Sequence, residues 1–231
     1  MTLLNISPFA ISRWGAFFNH FDLFFKGFLY TLGISFGALL LALILGILSG
    51  GLSTSKSKVG KLISRIYVEV FQNTPLLVQM VFVYYGLAII SNGHVMISAF
   101  FTAVLCVGLY HGAYISEVIR SGIEAVPKGQ TEAALAQGFT ANQTMQLIIL
   151  PQAVRTILPP MTNQVVNLIK NTSTVAIISG ADIMFVAKAW AYDTTNYIPA
   201  FAGAAIFYFV ICFPLASWAR KQEESNKKTY S

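Results

Sequence analysis

Four polar side chains, Asn163, Asn167, Lys170 and Thr174, recur at i, i+4, i+7 and i+11 inside an otherwise apolar run. On an α-helix that spacing draws one stripe along one face. Two amides, an ammonium and a hydroxyl can bind a zwitterion. Amides hydrogen-bond both amino and carboxylate groups, and the ammonium attracts the carboxylate. Burying Lys170 in a lipid-crossing helix costs ~2.5–3.5 kcal/mol on insertion scales, so it must face protein or water. Three readings of the stripe stay open. It lines a water-filled path, it packs two like subunits through side-chain hydrogen bonds, or Lys170 snorkels to the interface. His111 and Gln79, on neighbouring apolar segments, are candidates for the opposite wall of such a path.

Covalent chemistry finds no support elsewhere. The stretch GGLSTSKSK (Gly50–Lys58) lacks the Gly that a phosphate loop needs before its Lys-Ser pair, and it leaves an apolar segment rather than a strand. It reads as a basic turn. There is no HExxH, no defensible Ser-His-Asp order and no paired carboxylate. His20, His94 and His111 are far apart and match no ligand motif, and Cys106 and Cys212 sit in apolar runs as small core hydrophobes. No cofactor is expected.

The elements that must position the stripe are set by composition. The 231 residues are 55% hydrophobic and 10% charged, with a mean hydropathy of +0.65. A soluble domain carries about 25% charged residues, so this chain lives in lipid. Four segments read as spans: Gly27–Leu52, Ile66–Ile90, Val95–Ser116 and Ile198–Trp218, each long enough for the ~20 residues that cross a bilayer core. The fifth, Ile157–Val186, is the one that carries the stripe. Residues 1–22, with Phe9, Trp14, Phe17, Phe18 and Phe21 beside Arg13 and Asp22, read as an interfacial amphipathic segment rather than a signal peptide. The whole is expected to be one all-α, five-span membrane domain.

Lysine and arginine counts orient it. Lys56, Lys58, Lys61, Arg65, Arg120, Lys128, Arg155, Arg220, Lys221, Lys227 and Lys228 fall on one side, against Arg13, Lys26 and Lys188 on the other. The N-terminus is therefore expected outside and the C-terminus in the cytoplasm. The net charge of +6 is a topology signal. Nucleic-acid binding is excluded, because the charges are spread over three loops without a basic groove or stacking aromatics.

That assignment leaves a long patterned loop, residues 120–155, in the cytoplasm. Within it, Thr131–Gln137 are mostly strong helix formers. Gly138 stands where a left-handed residue ends a helix, and Thr140 with Gln143 fits a capping box that starts a second. Pro151 and the Pro159–Pro160 pair are expected to break the chain before the fifth span. An amphipathic helix on an anionic leaflet would carry a basic face. The only charge between Thr131 and Pro151 is Glu132, so a protein-docking surface with small residues is the better reading.

Glu132-Ala133-Ala134, three residues, Gly138, nine residues, Ile148, one residue and Leu150-Pro151 resembles the complete EAA motif of ATP-binding cassette importer permeases. The stretches AYISEVIRSGIEAVPKGQTEAA (Ala113–Ala134), EVFQNTPLLVQ (Glu69–Gln79) and LIKNTSTV (Leu168–Val175) are similar to the polar amino acid subfamily, and the likeness runs from about Gly27 to the end. The resemblance implies a multi-pass bacterial cell-membrane protein of the type I importer permease fold. It also implies that Glu132, Ala133, Ala134, Gly138, Ile148, Leu150 and Pro151 dock on an ATPase. The expected partners are a like or related permease subunit, two cytoplasmic ATP-binding cassette subunits and an extracytoplasmic amino acid-binding protein. The cargo is a polar amino acid, glutamine/glutamate-type or basic, and hydrolysis belongs to the ATPase, so the chain is not itself an enzyme. Two positions depart from the family. Gln72 replaces the usual Arg before Asn-Thr-Pro, which points toward pairing with a subunit that keeps the arginine, and Gln137 replaces the Leu before the motif glycine. An ion-coupled transporter would show halving in its span pattern and a midplane carboxylate, and neither it nor an assembly or channel subunit accounts for the cytoplasmic elbow.

Overall fold

The computed structural model describes Ser7 and residues 10–229, with the side chains of 223 and 225–229 left out. Phe9, one of the aromatic residues of the expected interfacial segment, lies outside them. The described chain is helical throughout its regular structure: α1 (Ile11–Asn19), α2 (Phe21–Thr54), α3 (Lys58–Gln72), α4 (Leu76–Ile90), α5 (Ala99–Glu124), α6 (Lys128–Ala136), α7 (Ala141–Ile178), α8 (Ile183–Thr194) and α9 (Tyr197–Thr229). Among the described residues, three helices are long and apolar enough to cross a bilayer: α2, α5 and Tyr197–Gln222 of α9. The count reaches five if α3 with α4, and α7 with α8, each make one broken span.

The expected span Ile66–Ile90 is thus two helices. A residue before proline is pushed out of the α region, and Pro75 opens α4 from an extended conformation. The carbonyls at the end of α3 are taken by side chains: Asn73 Nδ2 donates to Glu69 O and Thr74 Oγ1 to Val70 O, both at 2.8 Å.

The chain divides into two compact units. The first holds residues up to Ala38, Pro75–Val107 and Leu168–Phe213; the second holds Leu39–Thr74, Gly108–Asn167 and Pro214 onward. The core of the first is aromatic and alanine-rich: Phe17, Phe24, Ile183, Val186, Ala187, Trp190, Ala191, Ala200 and Ala204. Phe24 meets Phe17 and Trp190 edge-on, with ring centroids 4.7 and 5.5 Å apart. The N-terminal segment therefore does more than rest at an interface. Phe17 of α1 is buried while Ile11 and Phe18 stay exposed, and Arg13 donates at 2.9 Å to both Thr195 O and Asn196 Oδ1.

In the second unit the helices approach through small residues. A Cβ on Gly46 would lie 2.7 Å from Ile115 Cβ, and one on Gly50 would lie 2.9 Å from Ile119 Cβ. The four-residue spacing on α2 thus seats the same spacing on α5. Beside this contact three buried hydroxyls join three helices: Ser49 of α2 is 2.9 Å from Ser64 of α3, and Ser116 of α5 donates to Ser49 at 2.9 Å.

Candidate functional site

The loop between α5 and α7 forms a capped elbow. At the end of α6, Gly138 N–H donates to Leu135 O (3.0 Å) and Phe139 N–H to Ala134 O (3.1 Å), the paired bonds of a Schellman motif. Gly138 has φ +89°, and a Cβ there would meet nothing within 4 Å. The glycine is required by backbone conformation and not by crowding. Thr140 then opens α7 with both capping-box bonds, Gln143 N–H to Thr140 Oγ1 at 3.3 Å and Thr140 N–H to Gln143 Oε1 at 2.9 Å.

α6 packs on Thr144–Ile149 of α7, and Ala134 of α6 and Ile149 of α7 are each 5% exposed. Glu132, Ala133, Leu135, Ala136 and Gly138 remain exposed, as do Leu150 and Pro151, while Ile148 is half-buried. The motif therefore divides. One of its alanines holds the elbow together, and the rest of α6 offers a small-residue surface.

The prolines do not break the chain, contrary to the sequence expectation. α7 runs through Pro151, Pro159 and Pro160. Residues Thr144–Ile149 widen into a π turn, so Leu150 N–H reaches back five residues to Met145 O. Gln152 Nε2 takes the carbonyl of Ile148 at 2.8 Å. Wider turns of this kind are how helices absorb an irregularity. Pro159 and Pro160 withhold the donors that Arg155 and Thr156 would have in a regular helix, and both of those residues are exposed.

The polar stripe keeps three of its four members. Asn163 and Asn167, in the second unit, and Lys170, in the first, are exposed on α7. Thr174 leaves the stripe because Thr172–Ile178 tighten into a 3₁₀ helix, which turns about 120° per residue instead of 100°. Its hydroxyl donates to Asn171 O at 2.7 Å and sits 3.9 Å from Met80 Sδ. His111 is 2% exposed; its ring bonds to Gln164 and packs beside Tyr110 and Tyr114. It is an internal residue of the second unit and not an open wall. Gln79 is half-buried on α4.

Two polar-walled clefts of ligand size lie beside the C-terminal half of α7, one in each unit. In the first, Lys170, Ser173 and Tyr208 face Met184, Phe201, Ala204 and Ala205 around about 310 Å³. In the second, Gln72, Tyr114, Glu117, Ser121, Thr156, Pro160 and Gln164 line about 440 Å³. Gln72 Nε2 is bound to Ala113 O at 3.2 Å, and Glu117 is paired with Arg120 at 2.7 Å. Gln164 and Tyr208 gave no signal of their own in the sequence, since lone amides and tyrosines in apolar helices are common.

One buried carboxylate was also missed. Asp182 is fully buried in the first unit and caps α8, accepting from Met184 N–H at 3.0 Å and Phe185 N–H at 3.2 Å. Thr31 Oγ1 accepts from Ile183 N–H at 3.1 Å, which completes the cap from α2. Ser179 in the left-handed region (φ 57°) ends the 3₁₀ helix just before it.

Residues 42–227 match the model of the binding-protein-dependent transport system inner membrane component. The chain is 34% identical over 213 residues to the probable glutamine ABC transporter permease protein GlnM of Bacillus subtilis (strain 168), covering 92% of this chain and 97% of that protein. It is 36% identical over 187 residues to the putative glutamine transport system permease protein GlnP of Rickettsia felis, with 80% and 85% covered. Among solved structures, the crystal structure of an amino acid ABC transporter with histidines superposes with a TM-score of 0.84 at 31% identity, covering 92% of this chain and 98% of the other. An inward-facing MetNI methionine ABC transporter superposes at 0.69 with 16% identity over 88% of this chain and 98% of the other, a likeness of fold alone. The architecture is that of the type I importer permeases, multi-pass in the inner membrane. The chain belongs to the family of binding-protein-dependent transport system inner membrane components.

Proposed function

We infer that the chain is the translocating subunit of an ATP-driven importer for a polar amino acid. The observation that carries the reading is the capped elbow at Gly138 beneath an exposed small-residue surface on α6. A rigid elbow transmits displacement because its two helices cannot hinge independently. An ATPase that closes on α6 therefore moves α7, the helix bearing Asn163, Asn167 and Lys170. The chain contributes no hydrolysis; two cytoplasmic ATPases supply the stroke, and an extracytoplasmic binding protein delivers the cargo. A second permease chain, like or related, completes the path. The N-terminus lies outside and the loop 120–155 in the cytoplasm.

Glutamine is the first substrate to test, because the relatives GlnM and GlnP are named for it. Exposed amides and one ammonium suit a zwitterion with a polar side chain. The experiment is uptake into vesicles that hold the permease, its ATPase and its binding protein, with glutamine, glutamate, arginine and histidine in competition. Asn163→Ala, Asn167→Ala and Lys170→Met should assemble normally and shift apparent affinity or selectivity. Unchanged affinity and selectivity in assembled complexes would move the stripe to the seam between permease subunits.

A further inference from the structure

A third cleft, in the second unit, is separate from the polar face of α7 and from the exposed docking surface of α6. It encloses about 520 Å³ and is lined by Lys61 of α3, Lys128 of α6, and an apolar wall that includes Ile123, Met145 and Ile149. Its one acid, Glu124, is already held 2.6 Å from Arg120. Neither lysine is in an ion pair among the described residues. The cleft thus carries uncompensated positive charge above apolar side chains. The helix that supplies Lys61 also exposes Val59, Leu62, Ile63, Ile66 and Val70, while Gly60, Ser64 and Val68 face inward. An exposed apolar face beside lysines is the pattern of a helix lying at a bilayer surface.

We propose that this cleft is a binding site for an anionic phospholipid, with its phosphate between Lys61 and Lys128 and its acyl chain along the exposed apolar face of α3. The two ammonium groups, in no ion pair among the described residues, select for an anion. It must carry a chain because one wall of the cleft and the adjoining helix face are apolar. Basic pockets between helices on the cytoplasmic side of a membrane protein are where phosphate headgroups bind. Free phosphate shares the headgroup chemistry but would leave the apolar wall without an occupant. The site adjoins α6, so its occupant would brace the end of the elbow opposite Gly138.

The test uses the purified permease with its ATPase in uncharged detergent. Thermal unfolding is followed as phosphatidylglycerol, phosphatidylcholine or inorganic phosphate is added. Phosphatidylglycerol should raise the midpoint saturably, and phosphatidylcholine should not. Each lysine is worth about a fivefold change in apparent affinity, so the K61Q/K128Q pair should weaken the effect about 25-fold. K56Q/K58Q, which changes nearby lysines outside the cleft, should change it little, and K61R/K128R should preserve it. Equal effects of the two lipids would overturn the proposal. So would an equal midpoint shift from millimolar phosphate alone, which would make this a site for soluble anions. Loss of the ATPase from K61Q/K128Q at constant lipid would also overturn it, by making the cleft part of the protein interface.

Discussion

The two ends of α7 depart from regular helix in opposite directions. At its start the helix loosens: Thr144–Ile149 form a π turn just ahead of Pro151, which has no N–H to give, and Gln152 Nε2 donates to Ile148 O. At its end it tightens: Thr172, Ser173 and Thr174 each donate a hydroxyl three residues back, to Ile169, Lys170 and Asn171 at 2.7–2.8 Å. Three successive hydroxyls bonded in this way compete with the backbone's own donors and favour the narrower 3₁₀ turn. One end is shaped by a missing donor and the other by surplus donors. Polar side chains, and not helix propensity, decide where this helix bends its path and which residues share its face.

The largest loss of stability is expected at the tight end. Asp182, itself fully buried, stops α8 from beginning with two part-buried, unpaired N–H groups. Asp182→Ala should cost about 2–3 kcal/mol and lower the unfolding midpoint of the purified complex, whereas Asp182→Asn, which keeps an acceptor oxygen, should lose less than half as much. Equal losses would mean that the cap is not what the carboxylate supplies.

How legible each end was follows from the range of its interactions. The start of α7 could be read directly, because Gly138, Thr140 and Gln143 act within a few residues and their types carry the geometry. The prolines misled, since the sequence shows the missing N–H but not the π turn that absorbs it. At the other end, the expected continuous segment to Val186 hid a left-handed Ser179 and the Asp182 cap, whose partner Thr31 lies 152 residues away. A 3.6-residue period puts Thr174 on the stripe, and that period stops holding at Thr172. His111 looked like a wall residue because nothing in its spacing reveals Gln164.

At the elbow, Gly138→Val should cost about 1–2 kcal/mol from the left-handed backbone alone, because the space around a Cβ is open. Gly138→Asn, which tolerates that conformation, should be milder. The expected readout is ATP hydrolysis that persists while uptake falls. Thr140→Ala removes the Oγ1 acceptor and keeps the backbone N–H bond to Gln143 Oε1; losing that one cap bond should cost about 1 kcal/mol, visible as faster hydrogen exchange in the first turn of α7 with the 3₁₀ end unchanged. The smallest effect belongs to Thr174→Val, about 0.5–1 kcal/mol from one hydroxyl bond. Its apparent substrate affinity should stay at the wild-type value, since the residue has left the stripe; a selectivity change would return it there.

The exposed face of α6 is expected to receive the ATPase and to drive the path. The most direct measurement places a large side chain there, Ala133→Trp, and follows ATPase capture, substrate-stimulated hydrolysis and amino acid uptake in the same reconstituted preparation. Ala133 is exposed, so the fold should be retained and the unfolding midpoint of the permease should stay unchanged. The account predicts that the ATPase no longer co-purifies and that uptake falls to the level of vesicles without ATP. Wild-type ATPase capture together with wild-type uptake would contradict it.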